Sequence, residues 1–210
     1  VFGTTYILML LHIIITDMIA RFVVYIINRH KKINFMTFLV APIITCIIMT
    51  AGYYNMHNVV KTTYEVYTDK SIREEGYRIL LVADVHFGVS LTLNEVNEKC
   101  KEMSGEKADI VVLCGDITDE SASKEDMENI FEALGNIESK EGIYYVYGNH
   151  DRQLYSADRA YEEKDMEEAM KNAGITVLRD EIVTINDEVV IAGREDKSYD
   201  VVKKRKDIQT

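Results

Sequence analysis

The sequence lacks a cysteine framework. Cys46, Cys100 and Cys114 are its only cysteines. They form neither an even disulfide set nor the close pairs of a zinc site, so a disulfide-stapled or zinc-ribbon scaffold is excluded. All three are read as packing residues. Basic charge is also short. The formal charge is −11, and residues 1–68 hold five Lys/Arg against two acids, a net +3 that leaves −14 for the rest. An acidic remainder argues against nucleic-acid backbone binding, which needs a basic face, and suits a site whose carboxylates hold cations. No internal repeat or low-complexity tract is visible. The chain begins at Val1 with neither Met nor a basic n-region, which is not a signal peptide. Its true start is expected upstream.

Charge is absent from Ile33 to Val60, and Ile33–Tyr54 alone supplies 22 positions. A membrane-spanning helix needs about 20 apolar residues. A span is therefore expected here, kinked at Pro42 and closed by Tyr53 and Tyr54. Residues 1–16 are uncharged too, followed by Asp17 and Arg21 at i,i+4 spacing. That first segment reads either as a full span with a buried pair or as a shortened span with an amphipathic turn. Both put the basic loop 28–32 between membrane segments, with the loop in the cytoplasm and everything after about Asn55 outside it. The expected organisation is transmembrane helices over 1–54, a connector over 55–76 and a catalytic-type domain over 77–210.

From Tyr77 the pattern becomes α/β. Arg78–Ala83, Asp109–Cys114 and Tyr144–Tyr147 are short apolar runs, the mark of strands buried on both faces. Helical spacing fills Thr92–Met103, Lys124–Ile137 behind a Ser123 cap, and about Ala157–Asn172 ahead of Gly174. The acidic run Glu162–Glu168 reads as a solvated helix face. Ile175–Leu178, Glu181–Ile185 and Val189–Ala192 are short β runs, the last two joined by an Asn186-Asp187 turn. Alternating βαβαβ predicts right-handed crossovers and a mainly parallel sheet.

Each of the three buried strands ends in ligand-type side chains: Asp84-Val85-His86, Gly115-Asp116-Ile117-Thr118-Asp119 and Gly148-Asn149-His150-Asp151. A parallel sheet lays such ends side by side at its carboxyl edge, where open α/β sheets place their sites. Carboxylates, imidazole and an amide oxygen suit Mn, Fe or Zn better than Ca or Mg. Asp116 is placed to bridge two ions. Two metals roughly 3.5–4 Å apart form a clamp for displacement at phosphorus.

In this order and spacing the three motifs resemble the calcineurin-like metallophosphoesterase family. With the apolar N-terminal segments and Asp84-Val85-His86-Phe87-Gly88, the chain looks most like its membrane-anchored, YkuE/YaeI-like bacterial branch. The resemblance covers about residues 77–200. It implies an α/β fold: N-terminal transmembrane helices, then the first half of a four-layer αββα sandwich. It implies a hydrolase of phosphomonoesters or phosphodiesters using hydroxide activated by two divalent metal ions. By match, Asp84 and His86 hold the first metal, Asp116 bridges, and Asn149 holds the second. His150 protonates the leaving oxygen or steadies the phosphate, with Asn149 and His150 facing substrate. Asp151 orients His150, and Asp119 supports the site without being a ligand. A membrane location favours a lipid-linked or envelope phosphoester.

The family completes its site with later histidines, but here only His12, His30, His57, His86 and His150 occur and none comes after His150. The chain is therefore expected to be a fragment lacking the second half of the domain. The alternative is a tethered binding module with a degenerate site.

Overall fold

The computed structural model describes residues 2–27, 35–89 and 91–199, and their side chains over 11–27, 43–89 and 91–198. The basic loop 28–32 and the chain end from residue 200 lie outside these, as does the Pro42 side chain. The chain forms two compact units, Val1–Tyr64 and Glu65–Thr210.

The first unit is a pair of helices, α1 (Phe2–Ile27) and α2 (Phe35–His57), lying against each other. The expected membrane spans are not found: no helix, among the described residues, is long and apolar enough to cross a membrane. The side chains described there cover residues 11–27 of α1 and 43–57 of α2, each shorter than the about 20 apolar residues a span needs. The described part of α2 includes Thr45, Thr50, Gly52, Asn55 and His57. In α1, Asp17 pairs with Arg21 at 2.6 Å beside a Thr16 hydroxyl bonded to the His12 carbonyl. Among the described residues the orientation argument, and with it the lipid-linked substrate, has no span to rest on.

In the second unit four strands form one sheet: β1 (Ile79–Val82), β2 (Ile110–Cys114), β3 (Ile143–Val146) and β4 (Ile175–Val177). Their spatial order is the sequence order and every pairing is parallel. With right-handed crossovers this order sends each connecting helix to the same face. Those helices are α3 (Leu93–Gly105), α4 (Lys124–Gly135) and α5 (Glu163–Asn172). Strand alternation divides the core accordingly. Val111, Leu113, Ile143 and Tyr145 pack with Val96, Ile130, Phe131, Met166 and Met170 of the helices. Ile110 and Tyr144 turn the other way, onto Leu178 and Ile185. That second layer is an antiparallel hairpin of β5 (Glu181–Ile185) and β6 (Val189–Gly193). Asn186 and Asp187 both take positive φ (51° and 56°) as the central residues of a turn that the Glu188 N–H closes on the Ile185 carbonyl at 2.9 Å.

Thr92 and Ser123 begin α3 and α4 with reciprocal capping boxes to Glu95 and Asp126. The third helix departs from its expected start near Ala157. Residues ahead of Glu163 are committed elsewhere: the Ala160 N–H goes to Gln153 Oε1 at 2.8 Å, and Tyr161 sends its hydroxyl to the Asp151 carbonyl at 3.1 Å. Its acidic run is not simply solvated either. Glu163 pairs with Arg179 and Arg152 (2.6 and 3.1 Å), and Asp165 with Lys124 (3.0 Å). Of the cysteines only Cys100 is buried, and burial pushes its thiol up to about 11. Cys114 is exposed because it is the last residue of β2, where the chain leaves the core.

Candidate metal centre

The loops after β1 and β2 continue side by side past the end of the sheet. Backbone N–H groups of Asp84, His86 and Phe87 donate to the carbonyls of Gly115, Asp116 and Ile117 at 3.1, 2.9 and 2.9 Å. The Asp119 N–H returns a bond to the Phe87 carbonyl at 3.1 Å. This pairing brings the Asp-x-His and Gly-Asp motifs together, whatever their side chains do.

At Asp84, His86 and Asp116 the backbone adopts positive φ: 53°, 46° and 50°. A left-handed residue costs an L-amino acid roughly 1–2 kcal/mol, with Asp among the more tolerant. Three such residues in two adjoining loops mark a site where surrounding structure imposes the conformation. They turn one ligand atom each toward a common point, and those atoms all lie within 4.8 Å of one another. The His86 Nε2 to Asp84 Oδ1 separation is 4.0 Å. Two ligand bonds of about 2.0–2.2 Å, as for a first-row divalent cation, span that 4.0 Å gap. Two carboxylates and one imidazole are also the donor set such an ion prefers. The residues present therefore fit a divalent metal.

His86 is fixed from behind. Its Nδ1 lies 3.2 Å from Asp119 Oδ2, which leaves Nε2 as the coordinating nitrogen. Asp116 Oδ1 accepts the His150 N–H at 2.8 Å, tying the second motif to the third.

Two glycines make that approach possible. A Cβ on Gly148 would lie 2.2 Å from Asp116 Oδ1 and 2.3 Å from the Asp116 nitrogen. A Cβ on Gly115 would lie 2.3 Å from the Gly148 nitrogen. Asn149 sits in the half-buried turn so formed, between the Gly148 and His150 N–H groups, each bonded to a carboxylate.

The expectation for Asp151 needs correction. Its carboxylate does not hold the His150 ring. It is wholly buried, with Oδ2 accepting the N–H groups of Asp116 and Gly148 (2.9 and 2.7 Å) and Oδ1 those of Ile117 and Thr118 (2.8 and 3.1 Å). Burial pushes its pKa above the ordinary carboxylate value, and the Gly148, Thr118 and Asp116 N–H groups pull against that. Asp151 is a backbone clasp across two loops. The carboxylate nearest the His150 imidazole is Glu120, 3.5 Å from Nδ1. The His150 ring meets His86 edge-on, with centroids 5.0 Å apart.

Sequence reasoning missed Glu120 and Gln153. Gln153 is fully buried, and its Nε2 donates to the carbonyls of Asp119, Glu120 and Ala122 at 3.3, 3.3 and 2.8 Å. It fastens the second motif to the loop after the third. The available signal was position alone, two residues beyond Asp151.

Among proteins similar to this chain, a zebrafish (Danio rerio) transmembrane protein with metallophosphoesterase domain is 28% identical over 127 residues, covering 60% of this chain and 28% of that protein. An uncharacterized metallophosphoesterase of Helicobacter pylori is 34% identical over 86 residues, 41% of this chain and 22% of that one. The uncharacterized metallophosphoesterase YkuE of Bacillus subtilis is 26% identical over 81 residues, 39% and 28%. The chain thus spans less than a third of the length of each. A family model, calcineurin-like phosphoesterase, matches residues 77–206, which takes in all four strands of the sheet and every motif residue placed above. On that match, over more than half of its length, the chain belongs to the calcineurin-like phosphoesterase family.

Proposed function

We propose that the protein is a metal-dependent hydrolase of phosphoric esters, cleaving a phosphomonoester or phosphodiester. The observation that carries this is the convergence of Asp84, His86 and Asp116 on paired, left-handed loops at the carboxyl edge of the parallel sheet. Asp84 and His86 would hold one divalent ion, Asp116 would serve it and a second, and Asn149 would hold the second. Such ions, when bound, supply Lewis-acid polarisation of a phosphoryl oxygen and an activated water. His150, whose ring lies against that of His86, contacts the phosphate and gives a proton to the leaving oxygen. Asp119 sets the His86 ring, and Asp151 holds the turns that present Asp116 and Asn149. Within the family we favour the YkuE-like group, supported by Asp84-Val85-His86-Phe87-Gly88 and by the likeness to the Bacillus protein.

The test is hydrolysis of an aryl phosphomonoester and an aryl phosphodiester by the full-length protein, with Mn added and after chelation. Turnover that is lost on chelation and restored by Mn is expected. A protein that binds Mn but turns over neither ester would be a binding module instead.

A further inference from the structure

Glu120 stands directly after the last residue of the Gly-Asp-x-x-Asp motif, and no role above uses it. Its side chain is only 20% exposed, and it faces the loop that carries His150. Oε1 lies 3.5 Å from His150 Nδ1 and 3.5 Å from the Tyr155 backbone nitrogen. Oε2 is buried with no hydrogen-bond partner, and His150 Nδ1 is likewise buried without one. A buried carboxylate with one unsatisfied oxygen, its other oxygen a few tenths of an ångström beyond bonding range of a buried and equally unsatisfied ring nitrogen, is a costly arrangement unless carboxylate and ring close up. Everything around them is already in place for that. Gln153 fixes the Glu120 carbonyl at 3.3 Å. The His150 N–H is fixed by Asp116. The ring is bracketed by His86 on one side and Tyr155 on the other, with centroids 5.0 and 5.6 Å away.

We propose that Glu120 is the positioning residue of His150, accepting its Nδ1–H and so presenting Nε2 to the phosphate ester. This takes over the task that Asp151, occupied by four backbone N–H groups, does not perform. The inference rests on the reading of His150 as the group that touches the ester. Glu120 itself touches neither substrate nor ion. A carboxylate that fixes the tautomer and rotation of a histidine contributes through that histidine alone.

The test uses the full-length protein with Glu120→Ala and Glu120→Gln, beside His150→Ala and the double variant Glu120→Ala/His150→Ala. In the metal-stripped protein, histidine side-chain ¹⁵N–¹H correlations report tautomer and ring order. Glu120→Ala should shift the His150 pattern and leave that of His86 in place, while Glu120→Gln, which keeps an acceptor oxygen, should stay near wild type. In the metal-loaded protein, Glu120→Ala should lower kcat about 10-fold or more with KM and metal content unchanged. Glu120→Gln should recover most of that. Adding Glu120→Ala to His150→Ala should cost nothing further. Unmoved His150 signals in Glu120→Ala would overturn the proposal, as would a loss of metal with activity or a further loss in the double variant. Should Glu120→Ala misfold, the same signals in Glu120→Gln decide it, and a scrambled tautomer there would also count against it. If His150→Ala keeps wild-type kcat while Glu120→Ala still shifts the His150 signals, the contact stands and the catalytic reading of His150 fails.

Discussion

Asp151 Oδ2 accepts the backbone N–H of Asp116 at 2.9 Å, so a fully buried carboxylate on one loop holds the main chain of a candidate ligand on another. All four N–H groups on Asp151 are donors, and an amide in its place offers one oxygen and two hydrogens. Either rotamer of Asp151→Asn sets an NH₂ against two backbone donors. The variant should lose about 2–5 kcal/mol of stability, read by denaturant unfolding of the metal-free protein. A loss under about 1 kcal/mol would mean the clasp is not holding these loops.

Gly148→Ala tests the close approach of the same loops. Its new methyl would meet Asp116 backbone and side chain at 2.2–2.3 Å, and a backbone neighbour cannot swing aside. Stability should fall by about 1–3 kcal/mol, with metal affinity falling in parallel. Unchanged metal titration would show that the Asp116 turn tolerates displacement.

Asp119→Ala should act on metal binding before it acts on chemistry. Freed from Asp119, the His86 ring loses its fixed tautomer and orientation, and metal affinity should drop about 10–100-fold. Asp119→Asn keeps an acceptor oxygen and should lose less. Equilibrium dialysis against Mn measures both, and equal affinities in all three proteins would remove Asp119 from the site.

His150→Ala and Asp116→Ala should fail differently. Without His150, metal content should stay near wild type while kcat falls ~10²–10⁴-fold, less for nitrophenolate leaving groups that need little protonation. Without Asp116, metal and activity should fall together. Elemental analysis beside kinetics separates them. Metal loss in His150→Ala would make His150 a ligand.

Asp109, away from the site, should govern part of the acid sensitivity. Burial pushes its pKa up, but the Arg78 N–H, Lys140 and Arg73 (each at 2.7 Å) outweigh that and hold it well below the usual carboxylate range. A depressed folded-state pKa contributes stability that is full above the unfolded value of about 3.9 and is lost as pH falls toward the folded one. Asp109→Asn should therefore cost about 1–3 kcal/mol at pH 7, and the gap from wild type should narrow below about pH 4. A gap of constant size down to pH 2 would refute the linkage.

The strand-end motifs were legible because their chemistry and their strands are contiguous. An apolar run such as Ile110–Cys114 can be read as buried, and the residues directly after it must then emerge at the sheet edge. Features that depend on contacts between distant loops stayed hidden. Nothing local distinguishes an Asp151 that clasps four N–H groups from one that orients its neighbour His150. Likewise Ala157–Tyr161 has helical composition, but Gln153 and Asp151 claim its polar groups first. The apolar N-terminal run shows only that charge is scarce: an Asp17–Arg21 pair sits within α1, and among the described residues no helix is long and apolar enough to cross a membrane.

The left-handed backbone at Asp84, His86 and Asp116 implies that this protein's thermostability and its activity pull in opposite directions at the same three positions. Glycine adopts that conformation freely, so each Asp or His there is a poorer choice for folding than the residue that would abolish metal binding. Selecting variants for heat resistance alone should enrich glycine or asparagine at these sites, His86 foremost because imidazole lacks the short polar side chain that eases Asp into that region. Selecting in the presence of the metal should hold all three in place.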